Sequence, residues 1–97
     1  MKKSISYKKK LIERLKNPKE AAAYLNAALE DNDIKIFLLA LRDVAESHGG
    51  ISSLAKETEL NRESLYRALS LQGNPTIMNL FLMIEALGLE LNIKPAI

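Results

Sequence analysis

Cysteine is absent from this chain of 97 residues, and histidine occurs once. Without cysteine there are no disulfides and no thiolate metal sites, which fits a reducing cytoplasm. The longest apolar runs, such as residues 36–41, are far shorter than the roughly 20 residues that span a bilayer. The basic amino terminus lacks the apolar stretch of a secretory signal. The composition therefore predicts a soluble, cytoplasmic protein that does not interact with membranes.

The features of common catalytic sites are also missing. His48 lies beside Gly49 at a predicted helix end, where a cation favours the helix dipole. A serine, His48 and Asp43 could be grouped as a triad, but no nucleophile-elbow glycine pattern or oxyanion loop accompanies them. Acidic residues lack metal-ligand spacing, and no glycine-rich phosphate loop occurs. We expect a protein that is not an enzyme and that uses no metal, cofactor or small-molecule substrate.

Charge is unevenly distributed, although the net charge is only +2. Residues 1–19 hold eight Lys and Arg against one acid, residues 20–61 hold three against eight, and residues 62–97 hold three of each. The three segments therefore carry net charges of +7, −5 and zero. A basic leader, an acidic middle and a neutral last segment indicate more than one kind of surface.

Hydrophobic periodicity and capping residues predict five to six short helices. The first covers residues 7–15, and the second follows Asn17-Pro18, with proline at its first position. The predicted caps are Asn17, Asp33, Asn61 and Thr76, and the predicted helix ends are Gly49-Gly50 and Gly88. The side chains expected to be buried are Leu11, Ile12, Leu15, Ala21, Ala22, Leu25, Ala28, Leu29, Phe37, Leu38, Leu41, Val44, Ala45, Leu54, Ala55, Leu65, Ala68, Leu69, Ile77, Leu80, Ile84 and Leu87.

Residues 51–71, ISSLAKETELNRESLYRALSL, have the pattern of a helix-turn-helix. Ala55 is small where a second helix would cross closely, and Asn61 can cap that helix. The inner faces are Leu54, Ala55 and Thr58 on the first helix and Leu65, Ala68 and Leu69 on the second. Long polar side chains on the outer face of the second helix could reach base edges in a DNA major groove.

Individual roles follow from position on these two helices. The predicted contacts to DNA bases are Arg62, Glu63, Tyr66 and Arg67. The predicted contacts to DNA phosphates are Ser52, Ser53 and Ser70, the first two because free backbone amides at a helix start help to bind phosphate. The alternative is an ordinary helical bundle whose polar faces are solvated, with Tyr66 covering the edge of the core. Lys8, Lys9 and Lys10 are either an arm on DNA or a solvated run.

The string from Leu54 to Leu91 resembles the lambda-repressor and Cro type of helix-turn-helix domain. EAAAYLNAALEDND, IFLLALRDVAESHGG and LAKETELNRESLYRALS, in that order, resemble the addiction-module antidote family, which comprises HigA-like antitoxins of type II toxin–antitoxin pairs. The resemblance covers residues 7–94. Glu59 stands where the family usually has glycine. That turn position often needs a left-handed backbone, which costs a non-glycine residue roughly 1 kcal/mol.

The resemblance implies an antitoxin that neutralises a small, basic toxin of the RelE/ParE type and represses its own operon by binding operator DNA. Acids of the middle segment could complement such a toxin. The expected toxin contacts are Glu20, Glu30, Asp31 and Asp33, with Asp43 and Glu46 as further candidates. The alternative is that these acids are solvated faces and caps. Two other functions stay open: a solitary phage-type repressor without a toxin, and a helical interaction module with no DNA role.

Residues 89–93, LELNI, alternate between apolar and polar as a β-strand does. A lone strand leaves backbone groups unpaired, so its simplest partner is its own copy, with Leu89, Leu91 and Ile93 in the dimer strand. Such a homodimer would place two reading helices about one DNA turn apart, roughly 34 Å. The alternative is an extended tail whose leucines pack on the last helix.

The expected fold is therefore all-α, with five to six short helices, a lambda-repressor-like helix-turn-helix and a short C-terminal β-strand. Residues 1–33 would form a basic leader and helical segment, and residues 34–97 the DNA-binding domain. Because no long linker separates them, we expect one compact unit.

Overall fold

The computed structural model describes residues 2–97, with side chains from residue 6 onward, so Met1 of the predicted leader lies outside the described residues. Six helices follow one another: α1 (Lys2–Arg14), α2 (Pro18–Glu30), α3 (Ile34–Ser47), α4 (Gly50–Thr58), α5 (Arg62–Ala68) and α6 (Ile77–Ala86). The prediction of five to six helices is confirmed, although α1 begins at Lys2 rather than at residue 7. None of the helices described in residues 2–97 has the length and apolar character needed to cross a membrane.

Four helices begin at the capping residues expected from the sequence. Asn17, Asp33, Asn61 and Thr76 each accept a hydrogen bond from a backbone N–H in the first turn, at 2.9, 3.0, 3.0 and 3.1 Å. Pro18 occupies the first turn of α2, where it lacks only an N–H that would be unpaired. A cap of this kind stabilises a helix by roughly 1 kcal/mol relative to alanine, so these four helix starts follow from local chemistry.

The core is built around α3. Helices α1, α2 and α4 all pack on α3, and α4 also packs on α5 and α6. The largest fully buried side chains are Leu15, Leu38, Leu41, Val44, Leu65, Leu69 and Met83. Since these come from both the amino-terminal and the carboxyl-terminal helices, apolar burial joins the two parts of the chain.

Two side chains expected in the core are exposed. Leu29 lies on the open side of the last turn of α2, and Ile77 is 65% exposed at the start of α6. The buried residues within α6 are Met83 and Ile84, both in its second half. The first turn of α6 therefore extends past the core, and the periodicity of its sequence did not reveal where contact with α4 stops.

The predicted C-terminal β-strand is not formed. Residues 89–97 form neither a helix nor a strand, and Leu89 and Leu91 pack against the core. The Leu89 N–H donates to the Ile84 carbonyl at 3.1 Å across Gly88, whose φ is 79°. This bond reverses the chain at the end of α6. The alternating pattern therefore reflects a tail whose leucines pack on the protein's own core. This packing agrees with the alternative given above, in which the segment is a tail and not a strand.

Candidate nucleic-acid interface

Helices α4 and α5 are joined by a short turn at residues 59–61. Glu59 adopts the left-handed conformation, with φ 59° and ψ 25°, so the backbone predicted for this position is confirmed. The Thr58 hydroxyl donates to the Leu54 carbonyl at 2.7 Å and accepts from the Leu60 N–H at 3.3 Å. The Thr58 side chain thereby pairs the Leu60 N–H, which lies just beyond the end of α4.

Helix α5 has one buried and one exposed side. Leu65, and Leu69 just after its last turn, are buried in the core. The four side chains predicted to contact bases are all exposed: Arg62, Glu63, Tyr66 and Arg67. The Asn61 side chain is used in capping α5 and is bonded to the Ser64 N–H. The exposed side of α5 therefore presents three long polar side chains and one aromatic ring.

Tyr66 lies within reach of two guanidinium groups. The Arg62 guanidinium carbon is 5.7 Å from the ring centroid, and that of Arg42, on α3, is 5.5 Å away. Each such cation–π contact contributes about 0.5–1 kcal/mol at an exposed site. Sequence reasoning did not identify Arg42, because its proximity to Tyr66 depends on how α3 and α5 are placed relative to each other. Two positively charged guanidinium groups therefore lie close to the Tyr66 ring on this surface.

Arg67 lines a separate open groove of about 400 Å³ between α5 and the start of α6. The other polar residues lining this groove are Ser64, Ser70, Gln72, Asn74, Thr76 and Asn79. A Cβ at Gly73 would lie 2.0 Å from the Ala68 carbonyl oxygen, so glycine is needed for the loop to pack on the end of α5. Sequence reasoning missed the amides of this groove because they belong to a loop whose course could not be read from periodicity.

Three serines were predicted to contact phosphates, and their surroundings differ. Ser52 is exposed and Ser53 is half-buried in the first turn of α4, which has no side-chain cap because Gly49 precedes it. Unpaired N–H groups and serine hydroxyls at a helix start suit a phosphate oxygen. The Ser70 hydroxyl instead donates to the Arg67 carbonyl at 2.7 Å. Ser70 thus pairs with the carboxyl-terminal end of α5. Its hydroxyl oxygen can still accept a hydrogen bond, but its proton is already donated.

Residues Lys2–Arg14 of the basic leader form α1. Lys8 lies 3.3 Å from the Asp43 carboxylate and 3.7 Å from that of Glu46, whereas Lys9 and Lys10 are exposed. Lys8 therefore connects α1 to α3, and the three lysines do not act as one run.

Asp43 lies at the centre of a polar contact between α1, α2 and α3. The Tyr24 hydroxyl donates to Asp43 at 2.7 Å, and the Lys8 ammonium donates to the same carboxylate. Burial, and then the hydrogen bond to Asp43, raise the pKa of the Tyr24 phenol above its ordinary value. Asp43 thus links α1, α2 and α3.

The four acids predicted to contact a toxin also have different surroundings. Glu20 is 3.5 Å from Arg14, and the Asp33 carboxylate caps α3. Glu30 and Asp31 are exposed at the end of α2. Within residues 2–97, no group of three or more histidine or acidic side chains is arranged to hold a metal ion.

Comparison with known proteins identifies the family of this chain. No solved structure gives a significant match. An uncharacterized protein of Haemophilus influenzae is 35% identical over 82 residues, which cover 84% of this chain and 84% of the relative. Residues 7–95 match the family described as "Probable addiction module antidote protein". This match confirms the resemblance that the three sequence strings indicated. The chain therefore belongs to the addiction-module antidote family.

Proposed function

We propose that this protein is the antitoxin of a type II toxin–antitoxin module. It binds and neutralises a small, basic toxin of the RelE/ParE type and represses the operon that encodes both proteins. Family membership supports a toxin partner, and the net charge of −5 on residues 20–61 supports a basic one. The activity requires no catalysis and no cofactor.

Repression is carried by α4, the turn and α5, acting as a helix-turn-helix of the lambda-repressor type. The observation that carries this proposal is the exposed polar side of α5, held on α4 by the left-handed turn at Glu59. A short, rigid helix with its outer side free of core contacts is what a major groove admits. Arg42, Tyr66 and Arg62 add a local positive charge that attracts the DNA backbone.

Base recognition falls mainly to Arg67. Its guanidinium is suited to two parallel hydrogen bonds with guanine, and it lines an open groove rather than lying against an aromatic ring. Glu63 and Arg62 are the other base-contacting candidates, while Ser52 and Ser53 bind phosphates at the start of α4. A single copy presents few cations, so it binds weakly at physiological salt and a second copy is needed.

The second copy docks on the exposed apolar side of α6. Ile77, Met78 and Phe81 are 65%, 69% and 47% exposed, and their spacing puts them on one side of the helix. Residues 62–97 have no net charge, so two identical copies are not repelled here. Specific interfaces bury roughly 800 Å² per partner around an apolar core with a polar rim, and these three side chains provide such a core.

The dimer on α6 replaces pairing through the tail, which forms no strand. Thr76 and Asn79 of the α6 start line the same groove as Arg67. A two-fold axis through the apolar side of α6 would relate the two copies of α5, and a palindromic operator requires them about one DNA turn apart, roughly 34 Å.

Co-expression tests the antitoxin function. The protein is produced together with the product of the adjacent reading frame, and complex formation and growth are measured. We expect the two proteins to co-purify and the growth arrest caused by the neighbour alone to be relieved. Arg67→Ala is the control, because it removes a DNA contact and should still relieve the arrest. Separate elution at micromolar concentration with continued arrest would contradict the proposal and favour a solitary repressor.

A further inference from the structure

An open apolar groove of about 300 Å³ lies between α2 and α3 on the amino-terminal side of the molecule. Its floor contains Ala28 and Ala40, which are buried and small. Ile36 and Leu39 form its rim on α3 and are 42% and 38% exposed. Tyr24 and the exposed Ala27 form the rim on α2. Because small side chains form the floor, the backbone of another helix could approach closely.

Helix α3 is apolar on more sides than the core covers. Phe37, Leu38 and Leu41 are buried in the core, whereas Ile36 and Leu39 face the open groove. The first half of α3, residues 34–41, is apolar except at Lys35. A helical segment of this kind is normally covered on nearly all sides. The exposed side of α3 therefore has the properties of a surface that another molecule covers.

The charges around the groove indicate what kind of molecule covers it. Asp31 and Asp43 both line the groove, and Glu30 and Asp33 lie next to Asp31 along the chain. Lys8 pairs with Asp43, so the surplus of negative charge is greatest near Asp31. An acidic partner would be repelled from this surface, and a basic partner would be attracted and oriented by it. The apolar side of α6 differs, since it belongs to a segment with no net charge, which suits a second copy.

We infer that the groove between α2 and α3 is the toxin-docking site and that its occupant is a basic amphipathic helix of the toxin. This inference rests on the proposed function, which supplies the toxin partner. Apolar side chains of the helix contact Ile36, Leu39 and the alanine floor, and a Lys or Arg pairs with Asp31. The groove and the apolar side of α6 belong to different helices and share no residue.

Substitution on the groove rim tests the inference. The full chain carrying Ile36→Asp is titrated by calorimetry with the purified product of the adjacent reading frame. We expect affinity to fall by about 30-fold or more, as for an apolar anchor at the centre of an interface. Ile93→Asp is the matched control, because it makes the same change at a tail residue that is 99% exposed. The affinity of the Ile93→Asp variant for the neighbouring protein should equal that of the unmodified chain.

A second variant keeps the test decisive if Ile36→Asp alters folding. Ala27→Arg adds a long cation to the exposed rim on α2, removes no core side chain, and should block the groove. Circular dichroism and operator binding report on folding and on the dimer. Loss of toxin binding by both variants with operator binding retained would support the inference.

Other outcomes overturn the inference in distinguishable ways. If the unmodified chain binds the neighbour and both variants bind within twofold of it, the groove is excluded and the antitoxin function stands. If the unmodified chain does not bind, the antitoxin function fails and the inference fails with it. If the variants change the sedimentation of the protein alone, the groove is a contact between copies of this chain.

Discussion

Arg62 and Arg67 share the exposed side of α5 but differ in what surrounds them. The Arg62 guanidinium is 5.7 Å from the Tyr66 ring, which limits its freedom. Arg67 lines the groove between α5 and α6, where a base edge could replace water. Helical spacing placed both arginines on one exposed side, and the packing of α3 and α6 made their surroundings unequal.

Replacing Arg67 by alanine separates base recognition from general attraction to DNA. The change removes a donor pair suited to guanine and leaves Leu65 and Leu69 in the core. We expect Arg67→Ala to cost about 1 to 3 kcal/mol per half-site on the operator, with little change on random DNA. Binding titrations against operator and scrambled duplex over a salt series measure both.

Lys9→Ala is the comparison for Arg67→Ala, because Lys9 is an exposed cation outside α5. If Lys9 touches phosphate, its loss weakens binding to both duplexes equally and lowers the salt slope by about one. An equal loss on both duplexes for Arg67→Ala would mean that Arg67 contacts only the DNA backbone. If Arg67→Ala weakens binding to neither duplex, α5 does not lie in the DNA major groove.

At the scale of elements, local chemistry accounts for where the helices begin and for the turn between α4 and α5. Asn61 caps α5, and Glu59 occupies the left-handed position that the family resemblance singled out. The sequence did not indicate that the first turn of α6 extends beyond the core, because Ile77 keeps the spacing of a buried residue. Periodicity reports which residues share a side, but only packing against α4 decides how far burial continues.

The left-handed turn gives a stability prediction. Glu59→Gly removes the clash that a Cβ has at positive φ. We expect the free energy of unfolding to rise by about 1 kcal/mol, which raises the melting temperature by about 4 to 8 °C for a domain of this size. Thermal unfolding followed by circular dichroism measures the change.

Glu57→Gly is the matched control for the turn, since it makes the same substitution inside α4, where φ is helical. Glycine within a helix lowers stability by roughly 0.5 to 1 kcal/mol. The two variants should therefore shift the melting temperature in opposite directions. A fall for both variants would show that the Glu59 side chain stabilises the turn by more than the strain costs.

For the whole molecule, we propose a dimer contact on α6, because the C-terminal strand expected to form it is absent from the described residues. Leu89 and Leu91 pack against the core of their own chain, so these two leucines are not free to pair with a second copy. Ile77, Met78 and Phe81 are exposed instead. From the sequence, Ile77 was expected in the core and the dimer contact in a C-terminal strand. Ile77 is exposed and the strand is not formed, and both differences have the same cause. Which apolar side chains remain uncovered depends on how all six helices pack.

Dimerisation through α6 is tested by sedimentation of Ile77→Asp. A carboxylate at the centre of the contact would be desolvated without a partner, so we expect monomers at concentrations where the unmodified chain is dimeric. Operator affinity should fall with the loss of the second half-site. Ile93→Asp should leave the dimer intact. A dimer that persists in Ile77→Asp would contradict the contact, as would an unmodified chain that is monomeric at high concentration.

The left-handed turn at Glu59 was expected from the family resemblance. The sequence by itself determined that there are five to six helices, which residues cap four of them, and which side of α5 is polar and exposed. These depend on bonds and periodicities within a few residues, which a linear chain contains. Only the tertiary structure decided that Arg42 lies over Tyr66, that the tail packs on its own core, and that the grooves beside α3 and α5 exist. Each of these joins residues distant in the chain, so it depends on which helices pack together and at what angle.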